Sequence, residues 1–170
     1  MKELVLGGAR SGKSRHAQRT ATALGRDVVY VATATAGDDA MAERIRRHRE
    51  DRPAEWRTVE EPVELARVLR EHAVPEACLL VDCLTLWLSN CLAADVWSDQ
   101  RLALLELLPR LPGPVLLVSN EVGQGVVPMG ELSRRFVDEA GWLHQDLAAL
   151  CDRVTFVTAG IPQTLKDTNR

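Results

Sequence analysis
Eight residues near the start, Gly7-Gly8-Ala9-Arg10-Ser11-Gly12-Lys13-Ser14, fit the pattern G-x-x-x-x-G-K-[ST]. The chemistry of such a loop is phosphate binding. Glycines let backbone N–H groups converge on phosphate oxygens with no Cβ in the way. A helix that follows points its positive N-terminal end at the same phosphates. Lys13 then reaches the β- and γ-phosphates, and Ser14 offers a hydroxyl to Mg²⁺. A dinucleotide fingerprint starting at Gly7 fails, because Ala9 stands where glycine is required.

A phosphate loop of this kind needs a second carboxylate partner for Mg²⁺. Leu79-Leu80-Val81-Asp82 is an apolar run ending in Asp, the Walker-B pattern. The competing reading of Asp82 is an N-cap for a helix beginning near Leu84. A third cluster surrounds His48. Met41, Ile45 and His48 share one helical face, while Arg44, Arg46, Arg47, Arg49 and Arg52 crowd the segment. Arginines grip phosphate oxygens with paired N–H donors and favour neutral imidazole, the nucleophilic form. Against this stands a charge-laced, solvated face in which Glu43, Glu50 and Asp51 pair with the arginines. Spacing alone leaves His48 between a nucleophile and a packed histidine.

The elements that must position these residues alternate between short apolar runs and longer helical patterns. That alternation predicts an α/β fold, P-loop NTPase-like, with a mostly parallel sheet and helices on both faces. Strands are expected at Glu3–Leu6, Asp27–Thr33, Ala77–Val81, Pro114–Ser119 and Val154–Thr158, with a short one at Trp56–Val59. Helices are expected at Lys13–Leu24, Asp38–Asp51, Pro62–His72 with Pro in its first turn, Leu84–Leu92, Ser98–Leu108 and Glu131–Leu150. The tail Pro162–Arg170 reads as weakly ordered.

Composition narrows the function classes. The 170 residues suit one domain, 1–170, able to build a core without staples. A net charge of −3 argues against a nucleic-acid binder. Of 21 basic residues only Lys2, Lys13 and Lys166 are lysines, so a chance P-loop match is a poor account. It also excludes the N-K-x-D motif with which a regulatory switch reads guanine. Cys78, Cys83, Cys91 and Cys151 form no C-x-x-C pair and read as buried free thiols. No apolar stretch approaches the ~18 residues of a membrane span, and the first residues lack a signal-peptide pattern, so a cytoplasmic location is expected.

Longer blocks resemble a known family. GGARSGKS at Gly7–Ser14, YVATA at Tyr30–Ala34, MAERIRRHREDRPAEW at Met41–Trp56, DCLTLWLSN at Asp82–Asn90 and VSNEVGQGVVP at Val118–Pro128 resemble the bifunctional adenosylcobinamide kinase / adenosylcobinamide-phosphate guanylyltransferases. Thr58, Glu60 and Pro62 extend the resemblance, which covers nearly the whole chain. Two positions depart from it: Ala40, where an acid is usual, and His144, where Asn is usual. The resemblance implies two reactions. A nucleoside triphosphate, ATP or GTP, phosphorylates adenosylcobinamide. GTP then donates GMP to adenosylcobinamide phosphate through a guanylylated histidine, matched here by His48.

It further implies that Ala32, Thr33, Ala34, Arg49, Arg52, Glu60 and Asp82 join Gly7–Ser14 in the nucleotide site. The Glu60 carboxylate suits the paired donors of guanine, although a surface acid is the plainer alternative. Glu121 is expected either to assist the kinase step or bind Mg²⁺, or to shape its loop. His16 is open between site edge and structure, and His144 is expected to be structural. A homo-oligomer, a trimer, is implied, with Trp87 or Trp97 exposed to contribute to its interface. The alternative function is a small-molecule P-loop kinase without guanylyl transfer.

Overall fold
The computed structural model describes residues 1–35, 46 and 53–168. The expected helix Asp38–Asp51, and with it His48, Arg49 and Arg52, lies outside the described residues apart from Arg46. The strands are β1 (Lys2–Gly7), β2 (Asp27–Ala32), β3 (Arg57–Glu60), β4 (Ala77–Asp82), β5 (Val115–Asn120), β6 (Arg153–Thr158) and β7 (Ile161–Asp167). The helices are α1 (Lys13–Ala23), α2 (Leu65–His72), α3 (Leu84–Ala93), α4 (Trp97–Leu107) and α5 (Glu131–Leu150), with a 3-10 turn at Leu108–Arg110.

One sheet runs in the order β3-β2-β4-β5-β1-β6-β7. Every neighbouring pair is parallel except β6 with β7. Central strands of such a sheet are buried on both faces, which is why β4 and β5 read as continuous apolar runs. Alternate residues sort into two cores. Leu4, Leu6, Val29, Val31, Leu79, Val81 and Leu117 face α2, α3, α4 and α5. Val5, Val28, Tyr30, Cys78, Leu80 and Val118 face Ala17 and Ala21 of α1. Helices therefore cover both faces, unequally among the described residues.

Three expectations are corrected. The helix expected from Pro62 begins at Leu65. Glu61 accepts the N–H groups of Val63 (3.0 Å) and Glu64 (2.8 Å), which folds Pro62–Glu64 into a turn ahead of the helix. The tail is not weakly ordered: Ile161–Asp167 is a strand antiparallel to β6. It is pinned by Arg153 to Asp167 (3.2 Å), and by Lys166 Nζ donating to the carbonyls of Ala148 (2.8 Å) and Ala149 (3.1 Å) at the end of α5. Trp87 and Trp97 are buried, at 0% and 4% exposure, and pack edge to face with ring centroids 5.2 Å apart. The exposed tryptophan is Trp142, at 52%.

Trp87 also donates its indole N–H to the Val63 carbonyl at 2.7 Å. Trp87→Ala is therefore expected to cost about 3–5 kcal/mol, read from urea unfolding. All four cysteines are free and buried. Burial pushes the Cys78 thiol up to about 11 and those of Cys91 and Cys151 up to about 12. Burial also raises Cys83, helped by the Asp82 carboxylate. Native protein at pH 8 should accordingly show no fast-reacting thiol toward a disulfide reagent, with all four reacting on unfolding.

Candidate active site
The phosphate loop leaves β1 at Gly7 and enters α1 at Lys13. Two glycines are required by contact and conformation. A Cβ on Gly7 would meet the Val157 carbonyl at 2.6 Å and collide with Ser11 Oγ. Gly12 has φ 94°, and a Cβ there would stand 3.2 Å from Gly160 Cα. Arg10, at φ 55°, gives the loop a further left-handed residue. Behind the loop lies the two-residue turn Ala159-Gly160 between β6 and β7, with both residues at positive φ. The Gly160 N–H donates to the Ser11 carbonyl at 2.7 Å, so the turn braces the loop.

The loop is built for an anion. Helix α1 starts without a side-chain cap and without an acid in its first turn, leaving its N-terminal N–H groups available to a ligand. Ser11 Oγ is buried with no hydrogen-bond partner. Lys13 is 6% exposed, and its ammonium donates to the Gly8 carbonyl at 3.1 Å, inside the loop that would carry the phosphates. Ser14, one residue on, is half-buried, and Ala9 and Arg10 are exposed at the loop's crest.

Parallel register brings a second set of predicted residues into line. Ala32 pairs with Glu60 on one side and Asp82 on the other, at the carboxyl ends of β3, β2 and β4. Open α/β sheets bind ligands at that edge. Strand β5 lies between β4 and β1, and β3 stands four strand spacings from the loop strand, about 19 Å. Glu60 is thus exposed at one end of the edge and the phosphate loop sits toward the other. The N-cap reading of Asp82 fails, since Cys83 is the capping residue of α3 and no side chain bonds the helix end.

Thr33 is fully buried, and its hydroxyl serves the neighbouring strand. Oγ1 donates to the Cys83 carbonyl (2.7 Å) and accepts the Cys83 N–H (2.9 Å). Asn90 then ties Thr33 and Pro62 to α3 through its amide, at 2.9 and 3.1 Å. Asn120, at the end of β5, donates to Thr85 Oγ1 at 2.8 Å. Together these bonds fix the backbone on either side of Asp82. Sequence reasoning did not single out Asn90 or Asn120. Asn90 closes the block DCLTLWLSN and is the one amide in a largely apolar helix, which is the signal that marks it.

Among the weaker candidates, His16 lies 3.9 Å from the buried Glu3 carboxylate and is partly exposed. Glu121 donates its backbone N–H to the Gly7 carbonyl at 3.0 Å, which puts it beside the phosphate loop. His144, from α5, bonds Ser119 Oγ at 2.7 Å. His48, Arg49 and Arg52 lie outside the described residues.

Metal chemistry fits the donor set at the edge. A Ser14 hydroxyl and an Asp82 carboxylate are hard oxygen donors of the kind Mg²⁺ takes. Among the described residues no group of three or more His, Cys, Asp or Glu could hold a metal ion unaided. Any ion here would share its coordination with phosphate oxygens and water.

Known proteins resemble this chain in fold and in sequence. The solved structure of the flagellar accessory protein FlaH from Methanocaldococcus jannaschii superposes with a TM-score of 0.51 at 12% identity, covering 98% of this chain and 78% of that one. That likeness speaks to the fold, which is P-loop NTPase-like α/β. The bifunctional adenosylcobalamin biosynthesis protein CobP of Pseudomonas aeruginosa is 61% identical over 171 residues, 98% of both chains. The corresponding CobU protein of Escherichia coli is 39% identical over 179 residues, covering 96% of this chain and 98% of its own. Residues 3–165 match the family described as cobinamide kinase / cobinamide phosphate guanyltransferase. The chain therefore belongs to that family, the bifunctional kinase and guanylyltransferase enzymes of cobalamin biosynthesis.

Proposed function
We propose that residues 1–170 act as one domain in which a single P-loop serves both transfers in turn. The observation that carries the reading is the carboxyl edge of the sheet. It has one phosphate cradle and one register row of Glu60, Ala32 and Asp82 beside it. Ala34 continues from Thr33 at the same edge. ATP or GTP lies with its phosphates in the backbone of Gly7–Ser14. Guanine, when present, directs its paired N–H donors at Glu60.

In the kinase reaction the aminopropanol hydroxyl of adenosylcobinamide attacks the γ-phosphorus. The bond to the bridging oxygen breaks, the nucleoside diphosphate leaves, and the hydroxyl proton is released. Lys13 and the loop N–H groups offset the charge gathering on the transferring phosphoryl oxygens. Ser14 and Asp82 would hold Mg²⁺, which supplies further charge neutralisation at the phosphates.

In the guanylyl reaction a nitrogen of His48 attacks the α-phosphorus of GTP and pyrophosphate leaves. An oxygen of adenosylcobinamide phosphate then displaces the imidazole, giving adenosylcobinamide-GDP and free His48. Arg49 and Arg52 grip phosphate oxygens alongside. The resemblance of the Met41–Trp56 block supports this assignment.

The chain works as a homo-oligomer, a trimer, in the cytoplasm. Exposed apolar side chains at Val126, Val127, Met129, Leu132 and Trp142 support an interface. Four free cysteines suit a reducing compartment. Light scattering should give about three times the chain mass of 18.8 kDa; a mass of one chain would overturn the oligomer.

Incubation with α-labelled GTP should leave an acid-labile, base-stable adduct on the protein. His48→Ala should remove the adduct and spare most of the kinase activity. Lys13→Ala should lower both transfers by on the order of 100-fold. An adduct of unchanged yield in His48→Ala would sink the covalent route.

A further inference from the structure
Ser119, Glu121 and His144 form a cluster that neither transfer, as described, uses. Ser119 and Glu121 follow one another along β5 and its exit, two residues apart. His144 comes from the middle of α5, which packs on that face of the sheet. Ser119 is fully buried and His144 is 7% exposed. Their bond, Nε2 to Oγ at 2.7 Å, fixes one side of the imidazole. The other nitrogen, Nδ1, is buried without a hydrogen-bond partner and faces Glu121 Oε2 at 3.7 Å. The second carboxylate oxygen of Glu121 accepts the Gly123 N–H at 2.6 Å.

The position of the ring proton follows from the neighbours. Were it on Nε2, the bare lone pair of Nδ1 would face a carboxylate oxygen, acceptor against acceptor. With the Ser119 hydroxyl donating to Nε2, Nδ1–H points at Glu121 instead. Burial lowers the His144 pKa against the opposing pull of Glu121, so the ring is a neutral donor. A buried donor 3.7 Å from its acceptor is a costly arrangement until the carboxylate closes on it. Catalytic hydrogen bonds are often this long before substrate binds.

Glu121 also has the right address. Its strand runs between the P-loop strand and the Asp82 strand, and its N–H bonds the first glycine of the loop. A carboxylate there stands on the ligand-binding edge, next to the phosphoryl group that would move.

We propose that His144 is a positioning residue that holds the Glu121 carboxylate to take the proton of the attacking hydroxyl in the kinase reaction. The inference rests on the kinase reading above. As the alcohol oxygen bonds to phosphorus, its proton passes to Glu121. The nucleoside diphosphate departs with the bridging electrons, and Glu121 later returns the proton to water. Guanylyl transfer from GTP to His48 has no hydroxyl to deprotonate and makes no such demand.

The test measures, side by side, phosphorylation of adenosylcobinamide and self-guanylylation from α-labelled GTP. Glu121→Gln should lower the kinase kcat by about 100-fold, with the KM for nucleotide little changed. His144→Leu should lower it by about tenfold, and His144→Asn, whose amide still donates, should recover most of that loss. In each case the kinase-to-guanylylation ratio should fall. A kinase kcat in Glu121→Gln close to wild type overturns the proposal. So does an equal fall of both activities in His144→Leu that His144→Asn fails to recover. Should His144→Leu not fold, Glu121→Gln decides alone. Wild-type protein unable to phosphorylate adenosylcobinamide would instead overturn the kinase reading, and this proposal with it.

Discussion

The closeness of the phosphate loop to the turn behind it is the constraint on which the rest of the site depends. A Cβ on Gly12 would stand 3.2 Å from Gly160 Cα, so any side chain at that position would press on the turn. The Gly160 N–H reaches the Ser11 carbonyl and fixes the loop from behind, leaving its front open. A rigid, pre-formed cradle loses less freedom when phosphates bind, and its dipoles need little reorganisation when charge moves. The glycines at positions 7 and 12 therefore do more than permit an unusual backbone. They let β6 and the turn after it crowd against one loop.

A second system holds the other half of the edge. The Thr33 hydroxyl bonds both the N–H and the carbonyl of Cys83, and Asn90 binds Thr33 and Pro62 in turn. Buried polar groups of this kind are worth their desolvation only when fully satisfied, and here each has a partner. The result is a carboxyl edge whose two halves are set by different chemistry: close backbone contact at the phosphate loop, and side-chain bonds around Asp82. The electrostatics follow the same division. The loop and the α1 terminus are electropositive, while Asp82 and Glu60 place carboxylates along the row, a pairing suited to a polyanion accompanied by a cation.

Much of this was legible in the residues alone. The P-loop and the apolar run into Asp82 are local patterns, and local patterns survive without knowledge of packing. Strands β4 and β5 read correctly because central parallel strands carry apolar residues on both faces. What could not be read were features set by packing and by particular side-chain bonds. Strand β7 has exposed residues along most of its length and a proline at its second position, as an edge strand tolerates. It therefore has no hydrophobic alternation to reveal it. Trp87 and Trp97 read as available for an interface, yet each buries against the other from two successive helices whose packing the spacing does not show. Glu61 displaced the start of α2 because its carboxylate caps the turn, which the Pro62 signal alone did not register. The link from Ser119 to His144 spans 25 positions and two elements, and no spacing rule connects them.

The hairpin of β6 and β7 carries one more consequence. Its outer strand is fastened at Lys166 to the end of α5 and at Asp167 to Arg153, while its turn bears on the P-loop. The hairpin thus joins the end of α5 to the P-loop, bonded at one end through Lys166 and at the other through the Gly160 N–H. Lys166 and Asp167 stand on the strand whose turn bonds a loop some 150 residues earlier in the sequence. The apparent periphery of the protein is bonded directly to its centre.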